Sequence, residues 1–170
     1  MSARWCDTDA TPRLLQMQVA QVDAVMAVEA ATYTFPWSRG NFIDSLAAAY
    51  PSRVLLGERD ALLGYFVAMA GVDEMHLLNI TVAPAAQGCG HARTLLEALI
   101  VLARAQLAHA LWLEVRESNA KARAMYAHFG FAAVGRRSGY YPAALGRRED
   151  AVVMSLTLSP SAGGANDALG

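Results

Sequence analysis

The pattern of hydrophobic and polar residues predicts alternating strands and helices. Short apolar runs bounded by turn-forming residues predict strands, and apolar residues spaced three and four apart predict helices. The predicted strands span 14–19, 53–58, 61–70, 75–82, 111–115, 131–134 and 151–158. The predicted helices span about 22–34, 39–49, 90–108 and 118–128, with Ser38 and Ser118 as N-caps.

The short connections between neighbouring strands predict how the sheet is built. The strands at 53–58, 61–70 and 75–82 follow one another closely, which favours an antiparallel meander. The economical arrangement is α/β (α+β): a central mixed, mostly antiparallel sheet of about seven strands, covered by about four helices. We expect one domain over 13–158, between a loose N-terminal segment (1–12) and a disordered tail (159–170) rich in serine, glycine and alanine.

Composition narrows the range of partners. The net charge of −1, with scattered arginines, argues against a nucleic-acid-binding surface. The apolar stretch at 61–72 is too short to span a bilayer and no signal peptide opens the chain, so we expect a cytoplasmic protein without a membrane partner. Cys6 and Cys89 indicate neither a disulfide framework nor a zinc site, and the four histidines lack ligand-like spacing. No metal is therefore expected.

The first candidate site is a strand that runs through a small-residue turn into a long helix, at 79–93. Backbone N–H groups in such a turn, with a helix N-terminus behind them, bind anions such as pyrophosphate. Gly88 and Gly90 allow close approach to the backbone, and Arg93 adds a positive charge. Taken alone, the segment could equally be a plain glycine turn between a strand and a helix.

The second candidate site lies in the strand and helix at 111–131. Glu114 interrupts an apolar strand, so its carboxylate either faces solvent or lines a cleft, and periodicity alone favours solvent. Tyr126 could be a core residue whose hydroxyl forms a hydrogen bond at the edge of the core, and Asn119 could simply cap the helix. These residues by themselves leave both interpretations open.

Two motifs carry a family resemblance that covers about 14–158. Gln87-x-x-Gly90-x-Ala92 resembles the signature of the GNAT superfamily of N-acetyltransferases, and its glycine spacing differs from that of dinucleotide-binding folds. The stretch Leu-Trp-Leu-Glu-Val-Arg-x-Ser-Asn at 111–119, followed by Tyr126 and Gly130-Phe131, resembles the RimI family, the bacterial protein-alanine N-acetyltransferases. Further matching segments occur in the same order: Phe35-Pro36-Trp37-Ser38, Leu78-Asn79-Ile80, Tyr140-Tyr141-Pro142 and Glu149-Asp150-Ala151.

The resemblance implies a role for each matching position. Glu114 would be the general base and Tyr126 the general acid that protonates the departing coenzyme A thiolate. The strand backbone of Ile80, Thr81 and Val82 would pair with the pantetheine arm. The other implied contacts are with the cofactor, from Gly88, Cys89, Gly90, His91, Ala92, Arg93 and Asn119. A cleft flanked by Trp37, Tyr140 and Tyr141 would suit an extended peptide substrate, although the two tyrosines could equally serve only to anchor the loop.

The implied activity is direct transfer of acetyl from acetyl-CoA, the co-substrate, to a protein N-terminal α-amine. The resemblance implies as its partner the N-terminal alanine of a small-subunit ribosomal protein. A small-molecule or lysine acetyltransferase of the same fold stays open. So does a non-catalytic acyl-CoA-binding module, which would have lost the base or the acid.

Four departures from the family pattern bear on these roles. Gly88 stands where relatives often carry a basic residue, and His91 occupies a usually aliphatic position. One extra residue is expected near Ser138-Gly139 and another near Gly146-Arg147, in or beside the loop expected to cover the substrate. The resemblance therefore determines substrate choice less than it determines the reaction.

Overall fold

A computed structural model describes residue 6 and residues 10–158 of the 170-residue chain. Within these residues there are seven strands and four α-helices, as predicted. In chain order they are β1 (Arg13–Gln16), α1 (Val22–Thr32), α2 (Arg39–Ala47), β2 (Ser52–Leu56), β3 (Leu62–Ala70), β4 (Glu74–Val82), α3 (His91–Ala105), β5 (Ala110–Arg116), α4 (Ala120–His128), β6 (Ala132–Pro142) and β7 (Arg148–Thr157). Most of the predicted loose N-terminal segment, and all of the predicted tail, lie outside the described residues.

The strands form one seven-stranded sheet in the order β1-β2-β3-β4-β5-β7-β6. All neighbouring pairs are antiparallel except β4 and β5, which run parallel. The parallel pair is joined through α3, because parallel neighbours need a crossover rather than a hairpin. The sheet is therefore mixed and mostly antiparallel, and the predicted meander of β2, β3 and β4 is confirmed.

Each face of the sheet has its own hydrophobic core. Side chains alternate between the faces of a strand, so Leu111, Leu113 and Val115 of β5 pack against one face, the side of α3 and α4. The apolar stripe of α3 covers that core because its buried residues recur three and four apart. A second core on the other face joins α1 and α2 to residues of β2 and β3, including Val54 and Tyr65.

A bulge in β4 changes which side chains face each core. Val67 of β3 lies opposite Asn79, while the next residue of β3, Ala68, lies opposite Leu77. Leu78 is therefore the extra residue, and the alternation of side chains shifts by one beyond it. The consequence is that polar side chains of β4 before and after the bulge share the face toward α1.

The largest difference from the predicted elements concerns the segment expected to be a loop. The sequence predicts a strand at 131–134 only, but β6 continues to Pro142 and forms a long hairpin with β7. Most of β6 is exposed, so its sequence shows no apolar alternation. A register shift opposes Arg137 to Ala151 and Tyr141 to Glu149, and Gly139 within it has a φ of +57°. The position near Ser138-Gly139, where one extra residue is expected, falls within this irregular part of the hairpin.

Candidate active site

The parallel strands β4 and β5 separate in the middle of the sheet. Their pairing ends at Leu77 and Leu113, although β4 continues to Val82 and β5 to Arg116. Beyond this point β4 still pairs with β3, as far as Val82 opposite Gly64. Because it has lost its other neighbour, this part of β4 has a free edge of N–H and C=O groups. Ile80, Thr81 and Val82, predicted to bind the pantetheine arm, lie along that free part of the strand.

Glu114 is the first residue of β5 beyond the paired region, and its side chain is only 4% exposed. The expectation from periodicity, that the carboxylate faces solvent, is therefore wrong. The face of β5 away from α3 is covered by residues of the unpredicted part of the hairpin. Arg137 approaches the carboxylate, and the Tyr141 hydroxyl donates to the Glu114 carbonyl at 2.9 Å.

The two carboxylate oxygens of Glu114 have different surroundings. Oε2 lies 2.5 Å from Nε2 of His76, whose ring stacks on the indole of Trp112. Oε1 lies 3.0 Å from Nε of Arg137, which is ion-pair distance, but within the described residues it accepts no hydrogen bond of normal geometry. Oε1 therefore has an ionic neighbour but no hydrogen-bond donor.

Tyr126 lies on α4 and packs in the core on the opposite face of the sheet from Glu114. Its ring contacts Phe131, with a centroid distance of 5.6 Å. Burial raises the pKa of its phenol, and the nearby phenols of Tyr33 and Tyr141 raise it further. Tyr126 is therefore a protonated hydroxyl at neutral pH, close to groups that border the separated strands.

Tyr33, which the sequence analysis did not select, lies at the free end of β4. Its hydroxyl donates to the Ile80 carbonyl at 3.2 Å and lies 2.7 Å from Oγ1 of Thr81. The Thr81 hydroxyl in turn donates to the amide oxygen of Asn79. The end of α1 is thus fastened to the strand that carries the predicted cofactor edge.

The turn predicted to bind the pyrophosphate has an open concave backbone. Gly88 and Gly90 have φ values of +79° and +83°, which residues other than glycine rarely adopt. A Cβ atom placed on either residue would meet no other atom within 4 Å. Gln87 ties the turn to β4 by donating to the Val82 carbonyl at 3.3 Å. Thr94 makes the first bond of α3 to the Gly90 carbonyl, so earlier amides have no partner within the helix.

The side chains around this turn contribute less than its backbone. His91 is buried, and burial lowers its pKa, so at neutral pH it brings no positive charge. Ala92 is half-buried, and the guanidinium of Arg93 is 3.5 Å from Glu97 and 5.8 Å from the Phe129 ring centroid. The Arg93 side chain is exposed and free to turn toward an anion, but it would then leave these two contacts.

The sulfur of Cys89, within the same turn, is bonded to Cys6 in a disulfide. The expectation that these two cysteines form no disulfide is wrong. They are 83 residues apart in sequence, and no local pattern shows that the N-terminal segment returns to this turn. The disulfide leaves no free thiol at the turn while it is intact.

Asn119 caps α4, where the sequence analysis placed Ser118. The Asn119 side-chain oxygen accepts from the Ala122 amide at 3.1 Å, while the Ser118 amide donates to Glu149 of β7 at 2.8 Å. Capping, one of the two roles left open for Asn119, is therefore what the structure shows. Its exposed amide nitrogen remains available to a ligand.

Aromatic residues at the mouth of the separated strands are gathered around Arg116. Its guanidinium lies 4.6 Å from the Tyr141 ring centroid and 5.7 Å from that of Phe35, a residue the sequence analysis did not select. Tyr140 and Tyr141 meet edge to face at 4.9 Å. Trp37 packs against Phe42 in the core of α1 and α2.

One cavity of the described structure lies beside α2, away from the separated strands. It has a volume of about 470 Å³ and is lined by Trp37, Asn41, Asp44, Ser45, Ala48 and Tyr50. Its lining is confined to α2 and its flanks, so it holds none of the candidate residues of the separated strands.

Across the described part of the chain, no group of three or more histidine, cysteine, aspartate or glutamate side chains is placed to hold a metal ion. None of the helices described is long and apolar enough to cross a membrane.

Comparisons with known proteins place this arrangement in a family. The model of the acetyltransferase (GNAT) family matches residues 22–131. The chain is 38% identical to a [ribosomal protein bS18]-alanine N-acetyltransferase of Haemophilus ducreyi over 131 residues, which cover 77% of this chain and 90% of that one. The corresponding Escherichia coli protein is 35% identical over 143 residues, covering 84% and 95%.

A solved structure agrees with these sequence matches. The crystal structure of the ribosomal-protein-S18-alanine N-acetyltransferase from Escherichia coli superposes with a TM-score of 0.82 and 33% identity, covering 92% of this chain and 98% of that one. The separated strands, the glycine turn and the match to that whole domain lead to one conclusion. The chain belongs to the GNAT family of acetyltransferases, in its RimI group, and is an acetyl-CoA-dependent N-acetyltransferase.

Proposed function

We propose that this enzyme acetylates the α-amino group of the N-terminal alanine of ribosomal protein S18. The observation that carries the proposal is the carboxylate of Glu114, enclosed where β4 and β5 separate and with one oxygen free of hydrogen bonds. The names of the relatives above supply the substrate, and an S18 substrate would place the reaction in the cytoplasm.

Acetyl-CoA would bind along the free edge of β4 and over the glycine turn. Along Ile80, Thr81 and Val82 the edge of β4 that no longer pairs with β5 would bond the amides of the pantetheine arm, through backbone groups that β3, Tyr33 and Gln87 do not occupy. The turn from Gly88 to Arg93, at the N-terminus of α3, presents amides suited to the pyrophosphate. Asn119 could add an amide contact from the start of α4.

Glu114 and Tyr126 would perform the proton transfers. The unbonded oxygen of Glu114 would take a proton from the attacking amine, directly or through a water molecule. A backbone N–H of β4 would stabilise the oxyanion of the tetrahedral intermediate. Tyr126, kept protonated by burial, would give its proton to the coenzyme A sulfur as the C–S bond breaks. After the reaction Glu114 holds one extra proton and Tyr126 has lost one, so a single proton exchange with solvent returns each group to its starting state.

The basicity of the amine favours an α-amine as the acceptor. An α-amine has an ordinary pKa of about 8 and a lysine side chain of about 10.4, so neutralising lysine at pH 7 costs roughly 3 kcal/mol more. A single carboxylate base is better matched to the smaller cost. Phe35 and the pair Tyr140-Tyr141, around Arg116, would contact the residues that follow the acetylated one.

The experiment uses S18 lacking its initiator methionine, together with an alanine-starting peptide that contains internal lysines. The enzyme is mixed with acetyl-CoA and each acceptor, and tandem mass spectrometry locates the acetyl group. The same peptide with a formylated N-terminus is the matched control. We expect acetyl on the α-amine and none on the formylated peptide.

Other outcomes would identify the alternatives. Acetyl on lysine side chains in both peptides would make the enzyme a lysine acetyltransferase. Reaction with spermidine or other small amines, and with neither peptide, would make it a small-molecule acetyltransferase. Acetyl-CoA binding without transfer to any acceptor would indicate a non-catalytic module.

A further inference from the structure

His76 contacts the carboxylate of Glu114, although the reaction proposed above gives His76 no role. His76 lies on β4 directly opposite Trp112 of β5, one residue before the last paired position. Its Nε2 is 2.5 Å from Oε2 of Glu114, and the two side chains are only 11% and 4% exposed. A hydrogen bond shielded from solvent to this extent is stronger than the same bond in water.

Stacking fixes the orientation of the His76 ring. The imidazole lies 3.6 Å from the Trp112 ring, centroid to centroid, and the two planes differ by 12°. Arg137 lies 5.9 Å from the same indole centroid. Because the ring is held against a large flat neighbour in the paired part of the sheet, Nε2 keeps its direction toward the carboxylate.

The contact uses one oxygen of Glu114 and leaves the other, which is also buried, without a hydrogen bond. Oε2 is occupied by His76, whereas Oε1 accepts no hydrogen bond within residues 10–158, despite Arg137 at 3.0 Å. A general base needs a fixed carboxylate and also an acceptor lone pair that faces the proton it removes. At Glu114, the contact from His76 fixes Oε2, and Oε1 is the oxygen left for the acceptor role.

We propose that His76 is a positioning residue for the base: its Nε2–H donates to Oε2 of Glu114 and so directs Oε1 toward the substrate amine. The inference rests on the proposed role of Glu114 as the base. The donated hydrogen bond stabilises the ionised carboxylate, which is the form that accepts a proton. The other titratable groups that face Glu114 are Arg137 and the phenols of Tyr140 and Tyr141.

Two variants separate the hydrogen bond from the stacking. His76→Phe keeps a flat ring against Trp112 but removes the donor, whereas His76→Gln keeps an N–H at a similar reach. We expect His76→Phe to lower kcat about tenfold, the effect of losing a hydrogen bond to a charged group. Its acid limb in the pH profile of kcat/KM should move to higher pH, because the carboxylate has lost a donor to its charged form. His76→Gln should recover most of the rate and the original acid limb, and the Kd for acetyl-CoA should stay unchanged in both.

Glu114→Gln, alone and combined with His76→Phe, links the two residues. We expect Glu114→Gln to lower kcat at least a hundredfold, and the double variant to be no slower than Glu114→Gln alone, because His76 acts only through the carboxylate. If Glu114→Gln is inactive but His76→Phe has normal kcat and an unmoved pH profile, only the inference about His76 is wrong. Equal losses in the Phe and Gln variants, with lowered Tm in both, would reduce His76 to a structural role. Normal turnover of Glu114→Gln would overturn the assignment of the base and the inference with it.

Discussion

The Tyr141 hydroxyl donates a hydrogen bond of 2.9 Å to the backbone carbonyl of Glu114. This bond fastens the long hairpin of β6 and β7 over the strand that carries the proposed base. Within the sheet β7 lies between β5 and β6, so β7 is the strand of the hairpin that pairs with β5. The covering of Glu114 therefore depends on side chains that reach across β7.

We expect Tyr141→Phe to loosen that cover without disturbing the cofactor site. The variant should lose about 1 kcal/mol of unfolding free energy, as for one hydrogen bond. Its kcat/KM for the peptide should fall about fivefold to tenfold, while its Kd for acetyl-CoA stays the same. Steady-state kinetics and calorimetry measure both. Tyr140→Phe, which removes the hydroxyl of the exposed neighbouring ring, is the control, and an equal fall in kcat/KM there would argue against a special role for the bond from Tyr141.

Gly90→Ala tests the pyrophosphate turn. A Cβ at this residue would meet no atom within 4 Å, but it would project into the space proposed for the phosphates. Gly146→Ala is the matched control, because Gly146 also has a positive φ, +69°, and empty space beside its Cα, but lies in the hairpin turn. Each variant should lose about 1 kcal/mol of stability from the left-handed backbone. Only Gly90→Ala should weaken acetyl-CoA binding, by about tenfold, as measured by titration calorimetry; equal Kd values for the two variants would contradict this placement of the phosphates.

The features that the sequence predicted are those fixed by local pattern. The apolar spacing of α3, the Gly88-to-Arg93 turn before it and the short links of the meander all lie within a few residues of one another, and the structure contains all three. The family motifs likewise lie on continuous stretches. Local periodicity and turn chemistry were therefore sufficient for the order of the elements.

The features that it did not predict depend on contacts between distant segments. His76 meets Glu114 only because α3 carries the chain across to a parallel strand in one particular register, which periodicity does not encode. The burial of Glu114 depends on the extension of β6, whose exposed residues show no strand pattern. The disulfide of Cys6 and Cys89 joins segments 83 residues apart. These contacts belong to the tertiary structure and can be found only there.

The disulfide predicts that Cys89 is not a catalytic nucleophile. A sulfur bonded to Cys6 has no thiolate, and the thiolate is the reactive form. We expect Cys6→Ser, Cys89→Ser and the double variant each to lose roughly 2–4 kcal/mol of unfolding free energy. The loss should be equal in the three variants, because each removes the same cross-link. Denaturant titration, with and without dithiothreitol, measures this loss.

Each of these cysteine variants should remain an active acetyltransferase with direct transfer in a ternary complex. Intact-protein mass spectrometry should find the wild type lighter than its reduced form by the mass of two hydrogen atoms. Two free thiols in the untreated protein would contradict the disulfide. An acetyl group trapped on Cys89 of the reduced enzyme during turnover would contradict direct transfer.

Tyr126→Phe tests the proposed acid, and the pH dependence of the wild-type kcat tests it independently. Burial, aided by the phenols of Tyr33 and Tyr141, raises the pKa of Tyr126 above its ordinary value of 10.0. For a group whose neutral form is the acid, a raised pKa extends the protonated range upward. We therefore expect the wild-type kcat to stay level to about pH 10, since the ordinary tyrosine pKa of about 10 is the lower bound for the loss of this proton.

Without the phenol, the departing thiolate must take its proton from solvent. The kcat of Tyr126→Phe should fall at least about a hundredfold, with little change in the Kd for acetyl-CoA. Tyr50→Phe, which removes a half-buried hydroxyl beside α2, is the control for the loss of a phenol away from the site and should keep the wild-type rate. A steep fall in wild-type kcat below pH 9, unmatched by unfolding, would mean that the titrating acid is not Tyr126. Near-normal turnover of Tyr126→Phe across the pH range would remove this residue from the proton transfers and leave the protonation of sulfur to water.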